Sequence, residues 1–256
     1  MKHLPKKRFG QNFLHDASVL QQIIAAIAPS ADDCMVEIGP GKGAMTELLL
    51  AQLRELHVVE LDRDLISLLE KNFAAKPLYI HAGDALQFEF DHIRTDQRKL
   101  RIVGNLPYNI STPLLFHLAQ YAQVVADQHF MLQKEVVERM VAQPGGRDYG
   151  RLSVMLQWRY QMSLLFFVPP QAFEPQPKVD SAIVRMIPIA QPLACEQHLL
   201  EQVVTTAFSQ RRKVIRNSLG SLFNERQLVA AGVDPQARPE TLSLEEFVGL
   251  ARLLAP

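Results

Sequence analysis

The sequence predicts an α/β fold. A doubly wound, mostly parallel seven-stranded sheet carries helices on both faces, and a small all-helical domain follows it. Three observations predict this. Short runs rich in Val, Ile and Leu alternate with helical periodicity from residue 34 onward. The first of these runs passes straight into a glycine-rich turn, Gly39-Pro40-Gly41-Lys42-Gly43, that opens a helix. Beyond Gln191-Pro192 the strand signal fades and helical periodicity alone remains.

Taken in order, the chain starts with a basic stretch holding Lys2, Lys6, Lys7 and Arg8, with no apolar signal core. Asp16 is placed to cap an amphipathic helix over 16–28, which Pro29 closes. CMVEI (34–38) is a buried strand, and residues 44–53 form the helix after the glycine turn. HVVEL (57–61) is the second strand, 64–73 the next helix, and 78–80 a third strand running into Gly83-Asp84-Ala85. LRIV (100–103) is the fourth. Pro107 cannot donate to a ladder and biases Leu106 away from helical dihedrals, so this strand stops at Asn105-Leu106-Pro107-Tyr108. Ser111 and Pro113 then start a helix running to 122. A fifth strand (129–132), helices over 134–141 and 149–159, and a late antiparallel pair (164–168 and 182–187) complete a first domain over residues 1–190. Residues 191–256 form the helical domain, with Gly232-Val233-Asp234-Pro235 as an internal turn.

Bulk properties narrow the function. At 256 residues, 48% hydrophobic and 21% charged, the chain can bury a full core. Cys34 and Cys195 lie far apart, and no metal-ligand spacing occurs, so no metal is expected. No run approaches membrane-spanning length, and a reducing, cytoplasmic setting is expected. A net charge of zero counts against a nucleic-acid binder, yet it conceals local clusters at Lys2–Arg8 and at Arg211, Arg212, Lys213 and Arg216. Each cluster reads either as a solvated face or as a set of phosphate contacts.

The chemistry concentrates at strand ends. Gly39 and Gly41 let a backbone pass close beneath a ligand. Glu60, about 20 residues after the first glycine, is placed to accept ribose hydroxyls, and Asp84 could reach an adenine amine. An exocyclic amine on a nucleobase is a poor nucleophile, because its lone pair is delocalised into the ring. The Asn105 side-chain oxygen and the Leu106 carbonyl could accept its two N–H bonds while Tyr108 stacks on the base, so that positioning and polarisation do the catalysis. Phe173, in a proline-stiffened loop, reads either as a buried ring or as a clamp opposite Tyr108. The glycine loop alone also fits a nicotinamide dinucleotide. The compressed G-x-G-x-G behind Glu37, the third acid Asp84 and the NLPY strand end favour S-adenosylmethionine instead.

EIGPGKGAMT, VELDRDL, GDAL, NLPYNIS, FEPQPKVDSAIVR and FSQRRKVIRNSL, in this order, resemble the ribosomal RNA adenine N6,N6-dimethyltransferase family of the KsgA/RsmA type. The resemblance runs from GQNFL to the helical C-terminus. It implies a Rossmann-like class I methyltransferase fold with a helical, RNA-binding C-terminal domain. It also implies methyl transfer to two adjacent adenosines in the 3′-terminal hairpin loop of 16S ribosomal RNA, within the small subunit or its precursor. By position it implies that Asn12 and Leu14 cover the cofactor, Gly39 and Gly41 pass beneath its methionine part, Glu60 holds the ribose, Asp84 binds the adenine, and Asn105 sits between cofactor and target. It makes Leu106, Pro107 and Tyr108 the rest of the catalytic loop and Phe173 a second stacking aromatic. It makes Arg211, Arg212 and Lys213 phosphate contacts. A monomer is the simplest state for an enzyme docking on a large RNA. The rival readings are a large-subunit methylase of the antibiotic-resistance type, a non-catalytic assembly factor and the nicotinamide enzyme.

Overall fold

The structure, a computed structural model, describes residues 11–255; the basic residues Lys2, Lys6, Lys7 and Arg8 lie outside that range. It opens with a two-residue strand, β1 (Phe13–Leu14), and helix α1 (Ala17–Ile27). The Asp16 carboxylate caps α1 by accepting from the Ser18 and Val19 N–H groups at 2.8 and 3.1 Å. Five strands then alternate with helices: β2 (Cys34–Ile38), α2 (Ala44–Leu50), β3 (Leu56–Glu60), α3 (Arg63–Asn72), β4 (Leu78–Ala82), β5 (Leu100–Asn105), α4 (Ser111–Ala119) and β6 (Val125–Gln133). After α5 (Lys134–Val141) and α6 (Arg151–Gln157) come β7 (Tyr160–Val168), the two-residue β8 (Phe173–Glu174) and β9 (Ser181–Pro188).

Seven strands form one sheet in the order β4-β3-β2-β5-β6-β9-β7. Strands β2 to β6 pair parallel, and β9 runs antiparallel to β6, with Ser181 opposite Gln133. The central strand β2 is buried along its whole length, as its uninterrupted apolar pattern requires. From β2 the chain steps to β3 on one side and β5 on the other. That reversal opens a crevice at the carboxyl ends of these strands, where open α/β sheets bind ligands. The β2–β5 approach is close: a Cβ on Gly104 would stand 2.6 Å from the Ile38 carbonyl oxygen.

Several strands run beyond their apolar cores. β6 begins at Val125 and takes in Asp127, whose carboxylate is held by the Arg101 guanidinium at 2.8 and 2.9 Å. Arg101 also donates to Asp33 at 2.6 Å, so this end of β5 and β6 is closed by an ion network rather than by apolar packing. Helix α4 starts differently from the sequence expectation. Ile110 is its N-cap without a side-chain bond, and the Ser111 hydroxyl donates back to the Tyr108 carbonyl at 3.2 Å.

The chain divides into two compact units, one running to Val137 and adding Ser163–Pro188, the other comprising Glu138–Met162 and the chain from Ile189 onward. In the second unit α7 (Gln197–Ser209) and α10 (Leu244–Arg252) bury Leu200, Val203, Val204, Phe247 and Leu250 together, with the Phe208 and Phe247 rings 5.7 Å apart. Between them lie α8 (Ile215–Ser218) and α9 (Glu225–Ala230). Helix α9 ends at Gly232, φ 79°, where the Val233 N–H donates to the Leu228 carbonyl and the Gly232 N–H to the Val229 carbonyl.

Candidate active site

A cavity of about 600 Å³ occupies the crevice at the carboxyl ends of β2 to β5. Its lining includes Asn12, Leu14, Gly39, Gly41, Glu60, Asp84, Asn105, Leu106, Pro107 and Tyr108. Segments far apart in the chain thus meet at one mouth. Phe173 is not in the lining. Its ring is 1% exposed and packs in the core with Ile183, Met131 and Val168, while the next residue, Glu174, faces the cavity. The reason is the register of β8: Phe173 pairs with Leu14, and strand alternation sends its ring inward. The second stacking aromatic expected from the sequence therefore has its ring in the core rather than at the mouth. Arg211, Arg212 and Lys213 lie in the second unit, exposed on the turn between α7 and α8. Arg211 is tied there to the Arg147 carbonyl and to Glu240.

The floor of the cleft is the glycine turn. Gly39, Gly41 and Gly43 adopt φ values of 66°, 59° and 88°, a region open to glycine and rarely to other residues. A Cβ on Gly41 would lie 3.1 Å from the Phe13 ring, and the Lys42 ammonium sits over the same ring at 4.5 Å. Phe13 is therefore gripped by the turn, and β1 is laid across it by antiparallel pairing with β8. The neighbouring Gln11 amide donates to Asp62 at 3.0 Å. Sequence reasoning missed Phe13, because a two-residue strand leaves no periodicity to read, and missed Gln11 and Lys42, because their partners Asp62 and Phe13 are distant in sequence.

Four carboxylates gather here. Glu37 is 1% exposed and accepts from the Thr46 hydroxyl at 2.6 Å. Burial pushes its carboxyl up to about 7, against the Thr46 bond, and nearby Glu60 adds to the rise. Glu60 Oε1 accepts the Leu61 and Asp62 N–H groups at 2.9 and 2.8 Å. Burial raises its carboxyl while those N–H groups pull it back. The Asp62 carboxylate caps α3 through the Asp64 N–H. Asp84 Oδ1 accepts from the Leu86 N–H at 2.9 Å, which leaves its second oxygen to the cleft.

The mouth is built by the loop after β5. Leu106 N–H donates to the Met131 carbonyl at 3.1 Å, Ile110 N–H to the Pro107 carbonyl at 3.2 Å, and Ser111 to the Tyr108 carbonyl. The Asn105 side-chain nitrogen donates to the Asn12 carbonyl at 3.0 Å. A carbonyl can only accept, so this bond fixes which end of the amide faces away, and the Asn105 oxygen is left as an acceptor. The Tyr108 hydroxyl bonds Ser181 Oγ at 2.8 Å, and burial raises the phenol, keeping it protonated. Among the described residues no group of three or more His, Cys, Asp or Glu could hold a metal ion. No described helix is long and apolar enough to cross a membrane.

A model of the ribosomal RNA adenine dimethylase family matches residues 2–255. The chain belongs to that family. As a ribosomal RNA adenine dimethylase it is an enzyme, with a class I methyltransferase fold in its sheet unit and helices at its C-terminal end. It is 65% identical over 255 residues to the ribosomal RNA small subunit methyltransferase A of Herminiimonas arsenicoxydans, covering 99% of this chain and 100% of that one. It is 58% identical to the protein of the same name from Chromobacterium violaceum, covering 99% and 97%. Among solved structures, a dimethyladenosine transferase from Plasmodium falciparum superposes on this dimethylase with a TM-score of 0.79 at 25% identity, covering 93% of this chain and 95% of that one. The 23S rRNA methyltransferase ErmE does so at 0.73 and 26%, covering 95% and 99%.

Proposed function

We propose that this enzyme transfers methyl groups from S-adenosylmethionine to the N6 amines of two adjacent adenosines in the 3′-terminal hairpin loop of 16S ribosomal RNA, during small-subunit biogenesis. The observation that carries it is the amide of Asn105, pinned through its nitrogen by the Asn12 carbonyl so that its oxygen is left as an acceptor at the mouth. The degree of likeness favours the small-subunit substrate. The small subunit methyltransferases A are 65% and 58% identical, the 23S enzyme ErmE 26%.

The residues present fit the donor. A cationic ligand suits a cleft lined by the Glu60 and Asp84 carboxylates, and a glycine turn at positive φ offers close backbone approach. When bound, S-adenosylmethionine supplies an electrophilic methyl group on a sulfonium. Glu60, with one oxygen already used by N–H groups, would turn the other to the ribose, Asp84 would take the adenine amine, and Asn12 and Leu14 would cover the ligand.

At the mouth the target base stacks on Tyr108. Asn105 Oδ1 and the Leu106 carbonyl accept its two N–H bonds, which draws the nitrogen toward tetrahedral geometry and frees its lone pair. No strong base is needed before the bond forms. The methyl–sulfur bond would break as the methyl–nitrogen bond forms, sulfur keeping the electron pair as a thioether. The nitrogen, acidic only afterwards, would lose its proton to solvent. After the first transfer a single N–H remains, so one of the two acceptors stands idle in the second. Extruding the base costs a few kcal/mol, which stacking on the Tyr108 ring offsets. Arg212 and Lys213 supply phosphate contacts from the second unit.

The test is methyl transfer to unmethylated small and large ribosomal subunits, followed by mass analysis of the nucleosides. N6,N6-dimethyladenosine from the small subunit alone is expected. Product from the large subunit, or none from either, overturns the reading.

A further inference from the structure

The loop that carries Tyr108 is fastened to the sheet through main-chain groups: Leu106 N–H to Met131, and Ile110 N–H to Pro107 within the loop. These bonds place the backbone and leave the ring its two side-chain torsions. The bond that reaches the ring itself comes from elsewhere. Ser181 Oγ lies 2.8 Å from the Tyr108 hydroxyl, across a sequence separation of 73.

Ser181 is well built for holding something still. It is the first residue of β9, it pairs with Gln133 of β6, and it is fully buried. The preceding Asp180 carbonyl accepts the Lys134 N–H at 2.9 Å, so the strand entry is pinned on both sides of the pair. Tyr108 is only half-buried, as a ring that forms a wall of a cleft must be.

We propose that Ser181 is a positioning residue for the target adenine, because its hydroxyl locks the Tyr108 ring in place before the base arrives. This rests on the reading of Tyr108 as the stacking wall. A ring fixed in advance spares the complex the loss of rotamer freedom that ordering it on binding would entail. The bond also gives the phenol hydroxyl a use that stacking alone does not require. Removing the phenol hydroxyl leaves the fully buried Ser181 hydroxyl without this partner.

The experiment compares Ser181→Ala, Tyr108→Phe and the double variant of the full chain, with unmethylated small ribosomal subunits as substrate and S-adenosylhomocysteine as cofactor probe. Each single change is expected to raise KM for the subunits about 3- to 10-fold with a smaller change in kcat. The double variant is expected to be no worse than either single one, because both remove the same bond. Affinity for S-adenosylhomocysteine is expected to stay within about twofold, since a single lost hydrogen bond away from that ligand has no direct route to it. Additive effects, a normal KM in both single variants, or a KM rise matched by lost cofactor affinity would each overturn the proposal. Should Ser181→Ala fail to fold, Tyr108→Phe keeps the test, because its backbone and ring are unchanged. Tyr108→Ala separates the two levels. A raised KM there with silent single variants removes only the lock, whereas a normal KM removes the stacking wall as well.

Discussion

The side-chain nitrogen of Asn105 and the main-chain carbonyl of Asn12 are 3.0 Å apart, joining the end of β5 to the segment that crosses the cleft. One bond therefore sets the direction of the amide proposed to polarise the target amine and ties down the segment that lines the cavity beside it.

Replacing Asn105 separates these duties. Asn105→Ala is expected to cut turnover about 100-fold or more, as losing a donor or acceptor at the reacting centre does. Its affinity for S-adenosylhomocysteine is expected to fall only about fivefold, the worth of one ordinary hydrogen bond. Asn105→Asp keeps an acceptor for the amine but turns a second oxygen on the Asn12 carbonyl, so its cofactor affinity is expected to fall further than that of Asn105→Ala. Calorimetric titration beside a methyl-transfer assay reads both. Near-normal turnover in Asn105→Ala would end the polarisation mechanism.

Gly104→Ala tests the close approach of β2 and β5. The added carbon meets a main-chain oxygen at 2.6 Å, which no side-chain rotation relieves. A loss of about 1–3 kcal/mol is expected, seen as a melting temperature lower by roughly 2–4 °C per kcal/mol. A variant melting with the parent would show that the strands can part freely there.

The buried carboxyl of Glu37 should make stability depend on pH. With its folded value raised to about 7 from 4.5, the native state holds a proton that the unfolded state has released. Stability is lost as pH rises through that window. His129 acts oppositely: burial lowers it to about 4 from 6.5, so it costs stability as pH falls through that range. The two act in opposite directions in the intact chain. Glu37→Gln keeps an acceptor for Thr46 and removes one of them. The melting temperature of the parent relative to Glu37→Gln is expected to decline from pH 5 to pH 8, and a constant difference would contradict the assignment.

In the second unit, Arg212→Ala and Lys213→Ala are each expected to weaken binding to small subunits and to make the salt dependence shallower by close to one counterion. Cofactor affinity is expected to hold. Arg211→Ala differs, because that guanidinium is bonded to the Arg147 carbonyl and beside Glu240, so a lower melting temperature accompanies its loss of binding. Filter binding at several salt concentrations distinguishes the three. Parallel salt slopes for all three and the parent would show that none of them meets a phosphate.

What could be read from the chain follows from how far each signal reaches. Strand β2 and helix α5 stand where periodicity puts them, and Gly39, Glu60, Asp84 and Asn105 line one cavity because each closes or follows a parallel strand. Strand β6 outran its apolar stretch because Asp127 is stabilised by Arg101, a partner 26 residues away that no local pattern announces. Phe173 alone carries no direction, and pairing with Leu14 decides which way its ring turns. Ser181 escaped notice for the same reason, since its value lies wholly in a distant hydroxyl.

The pairing of Phe13 with Glu174 has a bearing on how the protein is made. Phe13 leaves the ribosome early, whereas the strand it needs emerges only after most of the sheet has been synthesised. A nascent chain can assemble β2 to β6 before β1 is held across the glycine turn by β8, because chains fold from the N-terminal end as they emerge. Competence for chemistry thus arrives late in translation.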